Sequence, residues 1–319
     1  MKKNPKKATL STWVQQLPII AKVLQWSKKN TLPGLQGVLI YDVTVFMINE
    51  LHRDVITIRS RAIAFSFLLA LFPGIIFLFT LLPYVPIERF DVIMLGFLAE
   101  VLPENAYELL QNTIEDLLRI PRGGLLSIGF LLAVIFASNG VFVMLNSFRK
   151  MHAVTFKQRS WWMNRLVALK LTAILFGLLV LSISLIIAGR AVINQLLTWM
   201  DASGAAFAAL SVLRWLVIFF LFYSAISAIY RYGPPTKEKF KFFSPGAFLA
   251  TILSILSSIL FSLFVNNFGQ FNEVYGSIGT LIVSMIWLNI NSLVVLVGFE
   301  LNASIAVNRD LKQALPDEE

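Results

Sequence analysis

The sequence VYGSIGTLIVSMIWLNINSLVVLVGFELNAS, residues 274–304, decides the fold of this protein. Its middle, residues 278–297, contains no charged residue and is long enough to cross the roughly 30 Å hydrocarbon core of a bilayer as a helix. Small and polar residues recur at steps of seven and therefore share one helical face: Ser277, Ser284, Asn291 and Gly298, with Asn302 four residues beyond. This stripe predicts a face that packs against another helix or lines a cavity.

The composition is that of a multi-pass membrane protein. Hydrophobic residues make up 57% of the 319 residues and charged residues 14%, with a mean hydropathy of +0.74. A chain of this length accommodates about six spanning helices joined by short connections. Because there is no cysteine, disulfides, thiol catalysis and cysteine metal sites are excluded.

We therefore predict an all-α protein with six transmembrane helices. The expected spans are about residues 62–84, 125–148, 166–188, 207–230, 245–266 and 277–303. Together they form a membrane domain, residues 34–305, between an N-terminal cytoplasmic or interfacial segment, residues 1–33, and a cytoplasmic tail, residues 306–319. Pro73 and Gly74 lie at the centre of the first span and predict a helix kink there.

Shorter helices are expected beside the spans. Residues 39–51 are apolar but too short to cross the membrane, so they predict an interfacial or re-entrant helix. Residues 90–101 and 104–118 predict two amphipathic helices in the first extracytoplasmic connection, separated at Pro103.

Charge alternates between the connections and predicts the topology. Ten bases and three acids precede the first span, whereas residues 86–124 carry seven acids and three bases. Residues 149–165 hold five bases and no acid, and residues 231–243 hold four bases and one acid. The positive-inside rule therefore places both termini in the cytoplasm.

Several of these segments resemble the YihY/BrkB family of bacterial inner-membrane proteins. The resemblance rests on RAIAFSFLLALFPGIIFLFTLLPYVP (61–86), YGPPTKEKFKFFSPGAFLATILS (232–254) and the motifs YGSIG (275–279), WL (287–288) and ELNA (300–303). It covers about residues 40–305 and is most specific in the last third. It implies six spans in the cytoplasmic membrane. One branch of the family is associated with export of lipid or lipopolysaccharide precursors, and a ribonuclease label has also been attached to it.

The sequence offers no catalytic or metal-binding set. His52 and His152 lack the HxxxH or HxH spacing of a metal site, and an acid–base set for RNA hydrolysis is missing. We therefore expect neither an enzyme nor a cofactor. The chain lacks a GxxxxGK[ST] motif, so any transport is expected to be passive, ion-coupled or driven by a partner.

Two charges in predicted spans each leave two interpretations open. Glu300 lies at the inner edge of the last span. It is either a structural clamp that pairs with a basic residue on the cytoplasmic side, or a carboxylate that serves ion coupling. The clamp partners favoured by the sequence are Lys170, Arg61 and Arg231. Arg214 either snorkels toward the extracytoplasmic side or presents its guanidinium to an anionic group.

The leading prediction is an inner-membrane protein that translocates or accommodates a lipid-like, anionic amphiphile for envelope biogenesis. The candidate route is polar: Arg214, Asn139, Ser254, Ser258, Ser262, Asn266, Ser284, Asn291 and Asn302. The expected partners are membrane lipids, with anionic phospholipid or a lipopolysaccharide precursor as candidates, and not nucleic acid; an oligomer is compatible with the sequence. The alternative is a membrane scaffold for envelope assembly that transports nothing.

Overall fold

The computed structural model describes residues 24–53, 56–81, 123–150, 152–199, 204–267 and 277–314. Seven helices lie within them: α1 (Ile40–Arg53), α2 (Ile56–Leu81), α3 (Gly123–Ser147), α4 (Trp161–Trp199), α5 (Gly204–Tyr232), α6 (Pro245–Asn267) and α7 (Ser277–Ala314). Each of α2 to α7 contains a segment long and apolar enough to span a membrane. The predicted all-α fold with six spanning helices is confirmed.

The helices extend beyond the predicted spans. α4 has 39 residues and α7 has 38, so both continue well past the hydrocarbon core. α7 runs to Ala314 and takes in most of the predicted tail, because nothing in residues 304–314 breaks a helix. Pro73 is buried inside α2. The predicted amphipathic helices at 90–101 and 104–118 lie outside the described residues.

The six long helices close into a ring. Each packs against its neighbour in sequence from α2 to α7, and α7 packs back onto α2. α1 packs on α7 from outside the ring. Glycine lets α2 and α3 approach closely, since a Cβ on Gly140 would lie 3.0 Å from the Phe67 ring. This closed order places a common interior between all six helices.

α6 and α7 approach most closely at Gly246 and Gly298. A Cβ on Gly298 would lie 2.6 Å from the Gly246 carbonyl oxygen, and a Cβ on Gly246 would collide with the Gly298 carbonyl. Asn302 holds the same end of α6: its Oδ1 accepts from Gly246 N–H at 2.9 Å and its Nδ2 donates to Ser244 Oγ at 3.0 Å. Ser244 stands before Pro245 and caps the helix.

Candidate functional site

A half-open cavity of about 350 Å³ lies between the helices of the ring, and all six long helices contribute to its wall. Leu179, Phe222 and Trp287 of this wall remain exposed. The lining is mainly apolar, with four polar side chains. The apolar part includes Ile63 and Phe67 of α2, Met144 of α3, Leu175, Leu178 and Leu179 of α4, Leu221, Phe222, Ala225, Ile226 and Ile229 of α5, and Trp287, Leu288 and Val295 of α7. The polar part is Ser182, Ser254, Asn291 and Ser292.

Two of the predicted path residues meet at this cavity. Ser254 of α6 is buried, and Asn291 of α7 is half-buried with its Nδ2 donating to the Trp287 carbonyl at 3.0 Å. Ser292, beside Asn291, joins them although the sequence analysis did not select it. The predicted polar route therefore contributes two of its members to a cavity whose wall is mainly apolar.

The other path residues do not line this cavity. Asn139 of α3 and Ser262 of α6 are exposed and are not among the residues that line it. Ser258 and Ser284 are half-buried elsewhere along α6 and α7. The side chains of Arg214 and Asn266 lie outside the described residues. Of the nine residues of the predicted polar route, Ser254 and Asn291 line this largely apolar cavity, and the route as a whole stays a prediction.

Asn302 and Gly298 make contacts between α6 and α7. Asn302 is buried and uses its amide on the first turn of α6, while Gly298 provides the contact between α6 and α7. Tyr230 completes this junction by donating from its hydroxyl to the Val295 carbonyl at 2.6 Å. These contacts are those of helix packing, one of the two interpretations that the sequence left open, and Asn302 also lines a separate cavity of about 230 Å³.

An aromatic layer lies between the cavity and the predicted cytoplasmic side. Phe148 and Phe299 are fully buried and stack with their ring centroids 4.4 Å apart. Met144, which lines the cavity, precedes Phe148 by four residues, and Val295 precedes Phe299 by four. The residues directly after the two phenylalanines, Arg149-Lys150 and Glu300, are charged.

Beyond that layer lies a buried cluster of three charges. Lys150 Nζ is 3.0 Å from Glu50 Oε2 of α1 and 2.7 Å from Glu300 Oε1 of α7, and all three side chains are largely buried. His152 extends the cluster, with Nε2 3.7 Å from Glu50 Oε1. Lys150 thus ties the connection after α3 to both α1 and α7.

This cluster corrects the expected partner of Glu300. Glu300 pairs with Lys150 at 2.7 Å, whereas the sequence favoured Lys170, Arg61 and Arg231. From the sequence, Lys150 was considered only as one of the five basic residues of 149–165 that predict the topology. A signal was nevertheless present, because Glu50 and Glu300 both interrupt apolar segments and a carboxylate buried there needs a cation.

A cleft of about 880 Å³ opens beside the cluster. Among the residues that the structure describes, four cations line it, Arg59, Arg149, Lys150 and Lys157, together with His152 and a single carboxylate, Glu50. Arg59 also donates to the Ser147 carbonyl at 3.2 Å, at the C-terminal end of α3, where a cation is favoured. The cleft therefore carries a net positive charge.

The loop that forms one wall of the cleft is pinned to the connection between α5 and α6. Phe156 pairs with Thr236 in an isolated antiparallel bridge, and Lys157 N–H donates to the Pro235 carbonyl at 2.7 Å. Arg159 donates to the carbonyls of Gly233 and Pro234, at 2.9 and 3.3 Å. Burial lowers the pKa of the Arg159 guanidinium. These bonds hold the loop in place.

Comparison with known proteins gives a match over most of the chain. A family model described as Virulence factor BrkB matches residues 47–319. A ribonuclease-like protein of Bacillus subtilis (strain 168), YfkH, is 33% identical over 260 residues, which is 82% of this chain and 92% of that protein.

Shorter matches are found to proteins named UPF0761 membrane protein. The one from Haemophilus influenzae (strain 86-028NP) is 35% identical over 96 residues, which cover 30% of this chain and 34% of that protein. The one from Pseudoalteromonas translucida (strain TAC 125) is 33% identical over 78 residues, 24% of this chain and 26% of that protein. No solved structure matches the chain.

Proposed function

Since this chain belongs to the Virulence factor BrkB family of multi-pass bacterial membrane proteins, we propose that its central cavity receives the apolar part of a lipid-like amphiphile. The ring of six helices would accommodate such a molecule and let it pass between the leaflets. The observation that carries this proposal is the cavity of about 350 Å³ to which all six helices contribute.

The size and lining of the cavity support an apolar ligand. Its volume falls within the range of roughly 300–1,000 Å³ that is common for small-molecule sites, which are likewise mainly apolar with a few polar groups. Leu175, Phe222 and Trp287 present hydrocarbon and aromatic surface to it from three different helices. An acyl chain is the ligand class that these residues fit best.

The polar lining supports an amphiphile rather than a pure hydrocarbon. Ser182, Ser254, Asn291 and Ser292 offer hydroxyl and amide groups, which can hydrogen-bond to the ester or hydroxyl groups near a lipid headgroup. These four side chains carry no charge, so a ligand in the cavity needs no charged group next to them. Their arrangement favours a ligand with neutral polar groups next to its chain.

The ribonuclease-like name of the Bacillus subtilis relative has little support in the residues of this chain. Hydrolysis of RNA needs a bound metal or an acid–base pair next to the phosphate. In the described ranges, no group of three or more His, Cys, Asp or Glu side chains could hold a metal ion. His152 faces Glu50, which is itself engaged by Lys150. We therefore propose a binding or transport function without catalysis.

A photoreactive fatty-acyl probe tests this proposal on the purified protein in lipid nanodiscs. We expect ultraviolet crosslinks to map to cavity-lining segments of α4, α5 and α7, and an excess of unlabelled lipid to suppress them. The variant Ala225→Trp fills the cavity and should abolish these crosslinks. Ala173→Trp is the matched control, because Ala173 is exposed on α4 and does not line the cavity.

Crosslinks confined to the outer, lipid-facing surfaces would contradict the proposal. The same result for wild type and Ala225→Trp would mean that the cavity stays empty of lipid. The scaffold alternative would then be the better account of the bundle.

A further inference from the structure

We infer that the basic cleft is a second binding site, for a phosphate-bearing anion, separate from the central cavity. In the described part of the chain, the cleft is lined by Arg59, Arg149, Lys150, His152 and Lys157 against one carboxylate, Glu50. The inference does not depend on the proposed role of the cavity, because the aromatic layer of Phe148 and Phe299 lies between the two.

The cations of the cleft differ in what they already bind. Lys150 is engaged by Glu50 and Glu300, and Arg59 by the end of α3. Arg149 and Lys157 are exposed at the mouth, and in the described part of the chain neither forms an ion pair with a carboxylate. These two side chains therefore retain positive charge that a ligand can use.

Phosphate is the anion that this set of donors fits best. The guanidinium of Arg149 can bind two oxygens of one phosphate in parallel, while the ammonium of Lys157 acts as a point charge. Half-buried His152 adds a ring nitrogen at the same rim. With about 880 Å³, the cleft has room for more than a single inorganic ion, such as a phosphorylated solute or the headgroup of a phospholipid.

The cleft is formed before any ligand arrives. Its wall residues come from α1 and α2, from the connection after α3, and from Pro235 between α5 and α6. The Phe156–Thr236 bridge and the Lys157 N–H bond to Pro235 fix the basic loop against that connection. A ligand would therefore bind without having to order the loop, which reduces the entropy lost on association.

The position of the cleft suits either source of phosphate. The positive-inside rule places it on the cytoplasmic side, where anionic lipid headgroups attract basic residues. Soluble phosphorylated metabolites would reach the same opening from the cytoplasm. Both present the same chemical group to Arg149 and Lys157, so a test must separate a free phosphate from a headgroup.

The test measures binding of inorganic pyrophosphate to the full chain in a nonionic detergent, by isothermal titration calorimetry at low ionic strength. A parallel titration uses micelles doped with phosphatidic acid. The double variant Arg149→Gln/Lys157→Gln should weaken binding about tenfold or more, because two charge-assisted contacts are lost. The double variant Lys29→Gln/Lys312→Gln removes the same charge from exposed positions outside the cleft and should change binding less than about twofold.

Each outcome decides the inference. Saturable pyrophosphate binding with this contrast between the two double variants supports it, and competition by phosphatidic acid identifies a headgroup as the source. Binding of pyrophosphate without that competition indicates a soluble phosphate. Absence of saturable binding by either probe, or equal weakening in both double variants, overturns it. If the cleft double variant does not fold, Lys157→Gln alone serves, since Lys157 is exposed.

Pyrophosphate has no apolar chain, so this result is independent of the cavity. Pyrophosphate binding that survives while the acyl probe fails to label the cavity would leave this inference standing and remove only the proposed function.

Discussion

The Nζ atom of Lys150 lies 2.7 Å from Oε1 of Glu300, and their side chains are only 5% and 3% exposed. This ion pair joins the connection after α3 to α7, and Glu50 adds α1 to the same junction at 3.0 Å. Three segments far apart in the sequence therefore meet at one buried ammonium, on the predicted cytoplasmic side of the helix ring.

Replacing Lys150 should strongly destabilise the protein. Lys150→Met leaves Glu50 and Glu300 buried without their shared cation, and removing one partner of a buried pair costs about 3–5 kcal/mol. Thermal unfolding in nanodiscs should show a clearly lower midpoint. Lys157→Met, which removes an exposed lysine seven residues later, should leave the midpoint almost unchanged. Equal midpoints for both variants would show that the cluster does not hold the fold together.

A methyl group at Gly298 should prevent close packing of α6 on α7. The added Cβ of Gly298→Ala would lie 2.5 Å from the Tyr230 hydroxyl oxygen and 2.6 Å from the Gly246 carbonyl oxygen. We expect a marked loss of folded protein in the membrane, measured by detergent-resistant size-exclusion peaks. Gly177→Ala is the control, because nothing lies within 4 Å of its new Cβ and alanine favours a helix interior. Similar yields for both variants would contradict the packing described here.

Asn302 should contribute stability rather than ligand binding. Asn302→Ala removes the acceptor of the buried Gly246 N–H, and an unsatisfied buried donor costs about 1–3 kcal/mol. We expect a lower unfolding midpoint together with unchanged crosslinking of the fatty-acyl probe. Asn308→Ala loses only a bond to the carbonyl of Ser304 within α7 and should have a smaller effect. Loss of probe crosslinking at native stability would return Asn302 to the substrate route.

The absence of cysteine makes the topology directly testable. Lys157→Cys introduces a single thiol into an exposed position of the basic loop. A membrane-impermeant maleimide should label it in inside-out vesicles and not in intact spheroplasts, as the positive-inside rule requires. Labelling confined to spheroplasts would reverse the predicted orientation of both termini.

The helical architecture could be predicted from sequence because it follows from local properties. Long apolar segments, such as residues 278–297, indicate spans whatever their neighbours are. Helix ends were harder to predict, since α4 and α7 continue through polar residues beyond the predicted spans. Two residues of the stripe on α7, Gly298 and Asn302, contact α6, and Asn291 lies at the cavity.

The site itself depends on contacts between distant residues. Periodicity selected Ser258 and Ser262 together with Ser254, but only Ser254 faces the cavity. Lys150 could not be matched to Glu50 and Glu300, because 100 residues separate it from Glu50 and several other bases were equally available in sequence. The apolar wall of the cavity could not be predicted for a related reason. From the sequence alone, a leucine that faces lipid cannot be distinguished from a leucine that faces the ring interior.

The most direct test of the central claim is lipid translocation in reconstituted liposomes. A fluorescent phospholipid is distributed over both leaflets, and dithionite then bleaches the molecules that reach the outer one. Wild-type protein and Ala173→Trp should expose the inner-leaflet lipid faster than protein-free liposomes, whereas Ala225→Trp should fall to the protein-free rate because its cavity is filled. Equal rates for wild type and protein-free liposomes, or for wild type and Ala225→Trp, would contradict passage of lipid through the central cavity.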